Sequence, residues 1–403
     1  MVGATADAND AAVNPSMDVK PSRLARMPLF LTWEIESRLP AELQVDYLRV
    51  LAGAFAAWSS AQDKAESCWE IYSFLTPVGR SRFLSSPDIS FALLTRAKGA
   101  VRTANGSRAP MAPHSVLRGL PGSGDLDADI VRERLLAERL RTGNLSHRAR
   151  HAQKQIRQDL GLPSWKVDVK ALVREAELTG RGADACCNWP NLPDSAPYAE
   201  SDCAFLEQRL ARCLDLIERI GASARKMISQ VLRAIVFRQD HADPRGFSSS
   251  SWPGKIGTIG IINAHRGDLD DAWLIDALIH ECIHSLLYMV EIFEPFYMSA
   301  DAPTMYRSVS PWSGKLLYLH SYVHACFVWF GLWCFWSLAL ESGFSSGREI
   351  EFFRDRAQHG FEADILERLG SGKEGITEQV QQAISTMREI VLGTESNSRQ
   401  GCL

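Results

Sequence analysis

Residues 316–340, LLYLHSYVHACFVWFGLWCFWSLAL, run for 25 positions without an Asp, Glu, Lys or Arg. At a rise of about 1.5 Å per residue, a helix of this length can cross the ~30 Å hydrocarbon core of a bilayer. The run is therefore either a membrane span or the central helix of a large core. His320 and His324 decide between these readings: ionisable groups are costly on a lipid-facing helix, whereas a helix that is apolar all round and delivers two imidazoles to a protein interior looks like this. The expectation is a buried central helix and no membrane partner.

A second pair of histidines lies upstream in HECIHSLL, residues 280–287. Asp270 and Asp271 can cap a helix there. Leu274, Ala277, Leu278, Ile283, Leu286, Leu287 and Val290 then recur at helical spacing with no Pro or Gly. His280 and His284 fall one turn apart on one face, where two imidazole nitrogens reach a single divalent ion. Glu281 is rotated by about 100° and cannot join them as a same-face ligand, but it can reach a water or substrate bound to the ion. This is the His-Glu-x-x-His pattern of a metal site.

Two imidazoles do not make a durable site, so a third ligand is required, with a coordination position left open for chemistry. Glu291 and Glu294 follow closely, but Glu291 lies seven residues beyond His284, about 10 Å along the same helix, and both are set aside on that ground. Asp301, in the following loop, is the carboxylate alternative. His320 and His324 are the stronger pair. His324, deeper in the uncharged helix, is favoured as the ligand, and His320 as a group that hydrogen-bonds substrate or supports a ligand.

With 403 residues, 46% of them hydrophobic, the chain can bury a substantial core. A net charge of −4 argues against a general nucleic-acid partner. The nine cysteines show no CxxC spacing, and the first residues lack the apolar stretch of a signal peptide. Both point to reduced thiols and a cytoplasmic location. Cys186, Cys187, Cys203 and Cys213 match no zinc template.

The organisation reads as mainly α (α+β). Residues 1–25 are expected to be disordered. Residues 26–250 form a helical N-terminal region with a Gly/Pro-rich loop near 98–125, residues 251–395 a zincin-like metal-helix domain with a small β-sheet, and residues 396–403 a flexible tail. AELQVDYLRVLAGAFAAW and WEIYSFL read as helices, as does 201–238, which is followed by a break at SSSSWPG. KIGTIGIIN (255–263) is the best strand, placed where a rim strand could pair with an extended peptide. Between Arg132 and Arg157 there are eight Lys or Arg against two Glu. That surface is either a solvated helix face or a dock for an acidic peptide. Two amphipathic helices, REIEFFRDRAQHGFEADILERL and ITEQVQQAISTMREIVL, close the chain.

HECIHSLL, then SPWSGKLLYLHSYVHACFVWF, then an Arg-containing helix and GITEQVQQAI together resemble the HEXXH motif domain family of peptide-modifying proteins. That family is encoded in bacterial clusters for ribosomally made, post-translationally modified peptides. The resemblance covers roughly residues 250–395. It rests most on His280-Glu281-x-x-His284, Ser310-Pro311-Trp312 and Tyr322-Val323-His324. An Arg-Pro pair common after the Trp in the family is replaced here by Lys315 with no following Pro, and the first 200 residues match no pattern of the family.

The resemblance implies RiPP biosynthesis: a non-haem iron(II) dioxygenase that uses 2-oxoglutarate and O₂ to hydroxylate a side chain of a precursor peptide. His280, His284 and His324 would hold the metal, Glu281 would orient water or substrate, and His320 and Tyr322 would support the site. Three protein ligands leave positions for a bidentate keto acid and O₂. Arg307 or Lys315 could pair with the keto acid's distal carboxylate. From the motif alone, a zinc peptidase with Glu281 as general base is the alternative.

Overall fold

A computed structural model describes residues 21–34, 37–60, scattered positions of 68–94, Leu135, 195–196, 200–343 and 347–400. Apart from Leu135, the expected basic docking helix and the Gly/Pro-rich loop lie outside the described residues. The described chain is mainly helical with a small sheet. It consists of α1 (Arg23–Phe30), α2 (Leu39–Ser60), α3 (Pro77–Leu84), β1 (Ser195–Ala196), α4 (Glu200–Ile220), α5 (Ala222–Val231), β2 (Ala234–Asp240), β3 (Ser248–Ser251), β4 (Thr258–Ile262), α6 (Asp271–Phe293), α7 (Ala302–Met305), β5 (Arg307–Val309), β6 (Leu316–Tyr318), α8 (Leu319–Glu341), α9 (Gly347–Glu362), α10 (Ile365–Arg368) and α11 (Glu378–Gln400).

The motif helix α6 starts where its aspartates predict. Asp270 is the N-cap, its carboxylate accepting from the Ala272 amide at 2.8 Å. The loop ahead of it is gathered by Arg209 of α4, which is buried. The Arg209 guanidinium donates to Asp271 Oδ1 and to the carbonyls of Ala264, Arg266, Leu269 and Asp270. One side chain thus fixes the entry of the helix that carries His280 and His284.

The uncharged run becomes β6 and then α8, and 78% of its most apolar helical window is buried by the rest of the protein. α8 lies antiparallel beside α6. Trp336 Nε1 donates to Asp276 Oδ1 at 2.9 Å near one end, and His320 meets Glu291 near the other. Gly331 permits the close approach between them, since a Cβ there would stand 2.6 Å from Ile283 Cδ1. Trp33 covers the same spot and donates from Nε1 to the Gly331 carbonyl at 2.7 Å.

The sheet differs from the sequence expectation in two places. The stretch read as helix through 238 ends at Val231 and gives way to β2, whose Ile235, Val236 and Phe237 are all buried and suit a strand. SSSS, read as a break, is strand β3. In the order β1-β2-β4-β3, β4 pairs parallel with β2 and antiparallel with β3. β4 is therefore an interior strand, buried throughout, and among the described residues the edge on its side of the sheet belongs to β3. Serine's weak strand propensity hid this edge, which is held by its pairing with β4 and by the Ser249 hydroxyl on α6.

One hydrophobic core runs from Leu24 to Val391. The expected division at residue 250 falls inside β3, and α1, expected to begin in a disordered segment, starts at Arg23. Glu294, at the end of α6, accepts from the amides of Arg23 and Leu24 at 2.7 and 3.0 Å and so anchors the start of α1. At the other end of the chain α11 extends to Gln400, covering part of the expected tail.

Candidate metal centre between two antiparallel helices

Because α6 and α8 run in opposite directions, one member of each histidine pair meets the other, His284 against His324, while His280 stands against Trp329 and His320 against Glu291. His284 Nδ1 faces His324 Nδ1 at 3.0 Å, and one turn pair further on the Glu291 carboxylate lies between the α8 rings. Glu291 Oε2 is 3.3 Å from His320 Nε2, and Oε1 is 3.2 Å from His324 Nε2. The ring centroids of His280 and His284 are 5.0 Å apart, those of His320 and His324 4.2 Å. Glu291, His320 and His324 form a buried group whose ligand atoms all lie within 4.8 Å of one another and could hold a metal ion.

Glu291 is the residue the sequence argument set aside. Glu291 does lie two turns beyond His284 along α6, but α8 brings its own rings to it. A carboxylate that cannot share an ion with His284 through its own helix joins the cluster through the neighbouring one.

The hydrogen bonds fix the ring chemistry. A carboxylate only accepts, so each Nε2 facing Glu291 carries the proton when its ring is neutral. His324 then presents a bare Nδ1 lone pair toward His284. A separation of 3.0 Å fits one hydrogen bond between the rings; it also fits two ligands on one ion about 2.1 Å from each, at an angle near ~90°.

Electrostatics favour a cation here. Burial, with the neighbouring histidines, holds His284 well below its usual value, and burial with His320 nearby takes His324 down to about 4. Burial pushes the Glu291 carboxyl up, but positive charge on His320 and His324 outweighs it and brings the group to about 2. These demands conflict: Glu291 needs positive charge on its rings, and burial denies that charge to His324. We take His324 as neutral and Glu291 as ionised at neutral pH. A divalent cation would supply the missing charge. Tyr288 stacks on His320 with centroids 5.9 Å apart, and the Tyr297 hydroxyl is buried beside Glu291. Burial, then Glu291, pushes that hydroxyl well above its usual range.

The other expected site residues are placed as follows. Glu281 is buried and accepts from Ser249 Oγ of β3 at 2.7 Å, with Oε1 4.0 Å from His280 Nε2. It therefore joins the metal helix to the sheet rim. Tyr322 is buried on the far side of α8, and its hydroxyl donates to the Ile365 carbonyl at 3.0 Å, so its polar group is committed to packing α10. Asp301 is exposed at the start of α7. Arg307 is exposed on β5 with its guanidinium carbon 4.0 Å from the Tyr318 ring centroid, and Lys315 is exposed in the β5–β6 turn. Trp312 packs inward, its Nε1 donating to the Ala357 carbonyl at 2.8 Å.

No protein-family model matches the chain, and no curated protein matches it.

Proposed function

We propose that this protein is an iron(II)- and 2-oxoglutarate-dependent oxygenase that hydroxylates a side chain of a ribosomally made peptide on a zincin-like core. The observation that carries the reading is the 3.0 Å approach of His324 Nδ1 to His284 Nδ1, with Glu291 behind His324. His280, His284 and His324 are the metal ligands of this reading. Glu291 and His320 hold the His324 ring with its lone pair forward, as a carboxylate behind a ligating histidine does.

Access supports placing the ion at that end. The His280 side chain is 26% exposed, while those of Glu291, His320 and His324 are 8% exposed or less. A catalytic ion needs an open position, and among the described residues the His280 end offers one. Three neutral imidazoles also leave the ion's full charge available to an anionic keto acid. When bound, iron with 2-oxoglutarate supplies the oxidising power to replace a C–H bond by C–OH. One atom of O₂ enters the peptide, the other enters succinate, and CO₂ is released. The residues of this chain bind and orient. β3, an edge strand among the described residues and next to Glu281, can take an extended peptide as an added strand.

The test is metal analysis of protein purified without oxygen, followed by incubation with 2-oxoglutarate and candidate precursor peptides. Bound iron, succinate formation and an uncleaved peptide heavier by about 16 mass units support the proposal. A zinc peptidase is the second reading, favoured by the position of Glu281 at the rim strand. There, Glu281→Gln keeps the metal and loses cleavage by several orders of magnitude, whereas the oxygenase retains measurable turnover. Peptide cleaved anaerobically with zinc and no keto acid would establish the second reading.

A further inference from the structure

Large apolar side chains reach solvent most densely around the hairpin β5–β6. Among the described residues, Met305, Val309, Leu316 and Tyr318 are 68%, 48%, 59% and 42% exposed, whereas Leu29, Val45, Phe205 and Phe352 are exposed singly on α1, α2, α4 and α9. The strand register gathers the hairpin residues on one face. Arg307 pairs with Tyr318 and Val309 with Leu316, so these four side chains project to the same side, and Met305 lies two residues before Arg307 at the end of α7. The opposite face is committed to the fold: Ser308 is buried and donates from Oγ to the Arg368 carbonyl at 2.7 Å, and Leu317 packs against the core. Apolar side chains clustered on the solvent side of a sheet mark a surface for a partner.

The charge of the hairpin says what kind of partner. Residues 302–340 contain no Asp or Glu, while Arg307 stands on the apolar face and Lys315 in the turn beside it. Arg307 lies over the Tyr318 ring, its guanidinium carbon 4.0 Å from the centroid, and donates to the Tyr318 hydroxyl. Among the described residues neither cation forms an ion pair. A second copy of this face, related by a two-fold axis, would bring the same cations together, which opposes self-association. The sheet has two strands among the described residues, so an extended chain can pair along its edge, as a lipid surface cannot. An acidic extended peptide with apolar side chains meets all three features: it adds to the edge, covers Val309 and Leu316, and neutralises Arg307 and Lys315.

We infer that the outer face of β5–β6 docks an acidic, apolar segment of the peptide substrate, separate from the residue that reacts. Tyr318 is the N-cap of α8 and His320 its second residue, so the dock adjoins the His320 end of the cluster and not the accessible His280. The inference rests on the peptide-substrate part of the proposed function and is independent of iron and keto acid.

The experiment measures binding of three labelled peptides, in which Leu alternates with Glu, Gln or Lys, to the full chain by fluorescence anisotropy. The expected result is tightest binding of the Glu peptide, weakening as salt is added. Leu316→Ser and Val309→Ser should each lose about tenfold or more for that peptide, and the control Leu29→Ser, equally exposed on α1, should match wild type. The double variant Arg307→Glu, Lys315→Glu should turn the preference toward the Lys peptide, an exchange that a loss of stability cannot produce. Absence of any preference in wild type, or wild-type binding by the hairpin variants, overturns the inference. So does a wild-type dimer that Leu316→Ser makes monomeric, which assigns the face to a second copy, or binding to phosphatidylserine vesicles that Leu316→Ser abolishes, which assigns it to a membrane. Should either serine variant fail to fold, the charge exchange decides alone. Iron content and succinate formation are measured separately, and their absence sinks the oxygenase reading while leaving the dock standing.

Discussion

Glu291→Gln separates the role of Glu291 as a support from any role as a ligand. The carboxylate accepts from two rings, at 3.3 Å from His320 and 3.2 Å from His324. An amide keeps one acceptor and places an NH₂ donor against the other ring. If that ring is His324, it must move its proton to Nδ1, and the lone pair that faces His284 at 3.0 Å is lost. A hydrogen bond to a charged group is worth roughly 1.5–3 kcal/mol. Removing the partner behind a ligating histidine typically costs about 10–100-fold in metal affinity, the same energy scale. The assay is competition of nickel or zinc against a coloured chelator, with a thermal melt of each apo variant. Glu294→Gln is the matched control: Glu294 lies three residues along the same helix but caps α1. It should lower the melting temperature and leave metal affinity unchanged. A Glu291→Gln affinity within twofold of wild type would refute the tautomer argument. If instead Glu291→Gln abolishes binding while His280→Ala retains it, the ion belongs to Glu291, His320 and His324.

Two further outcomes are expected. Acid should destabilise the apo protein in a defined window: His324 has a folded value of about 4 against an ordinary 6.5, so the unfolded chain takes up its proton first and stability falls as pH drops from about 6.5 to 4, by about 3 kcal/mol for this group. Glu291, lowered to about 2, adds a loss below its ordinary 4.5. Denaturant melts at pH 7, 5.5 and 4.5 check the sign, and constant apo stability across them would show that His324 is not neutral in the folded protein. Arg209→Met should cost about 3 kcal/mol or more, because it strands four carbonyls around the start of α6 and leaves Asp271 with Arg212 alone. Hydrogen exchange across 264–275 should rise with it, and an unchanged denaturation midpoint would contradict the role given to Arg209.

What the sequence made legible is what lies within one helix. Spacing of four put His280 with His284 and His320 with His324, Asp270 announced the start of α6, and the absence of charge from 316 to 340 announced a buried α8. What it hid depends on how two elements pair. Glu291 is two turns from His284, so an argument confined to α6 excludes it; only the antiparallel register of α8 returns it to the cluster opposite His320. β3 was hidden for a similar reason, since four serines have no apolar alternation and become a strand only by pairing with β4. A motif therefore fixes the donors a helix can offer. The residues that set tautomer and charge come from the neighbouring helix, where no spacing rule within α6 can find them.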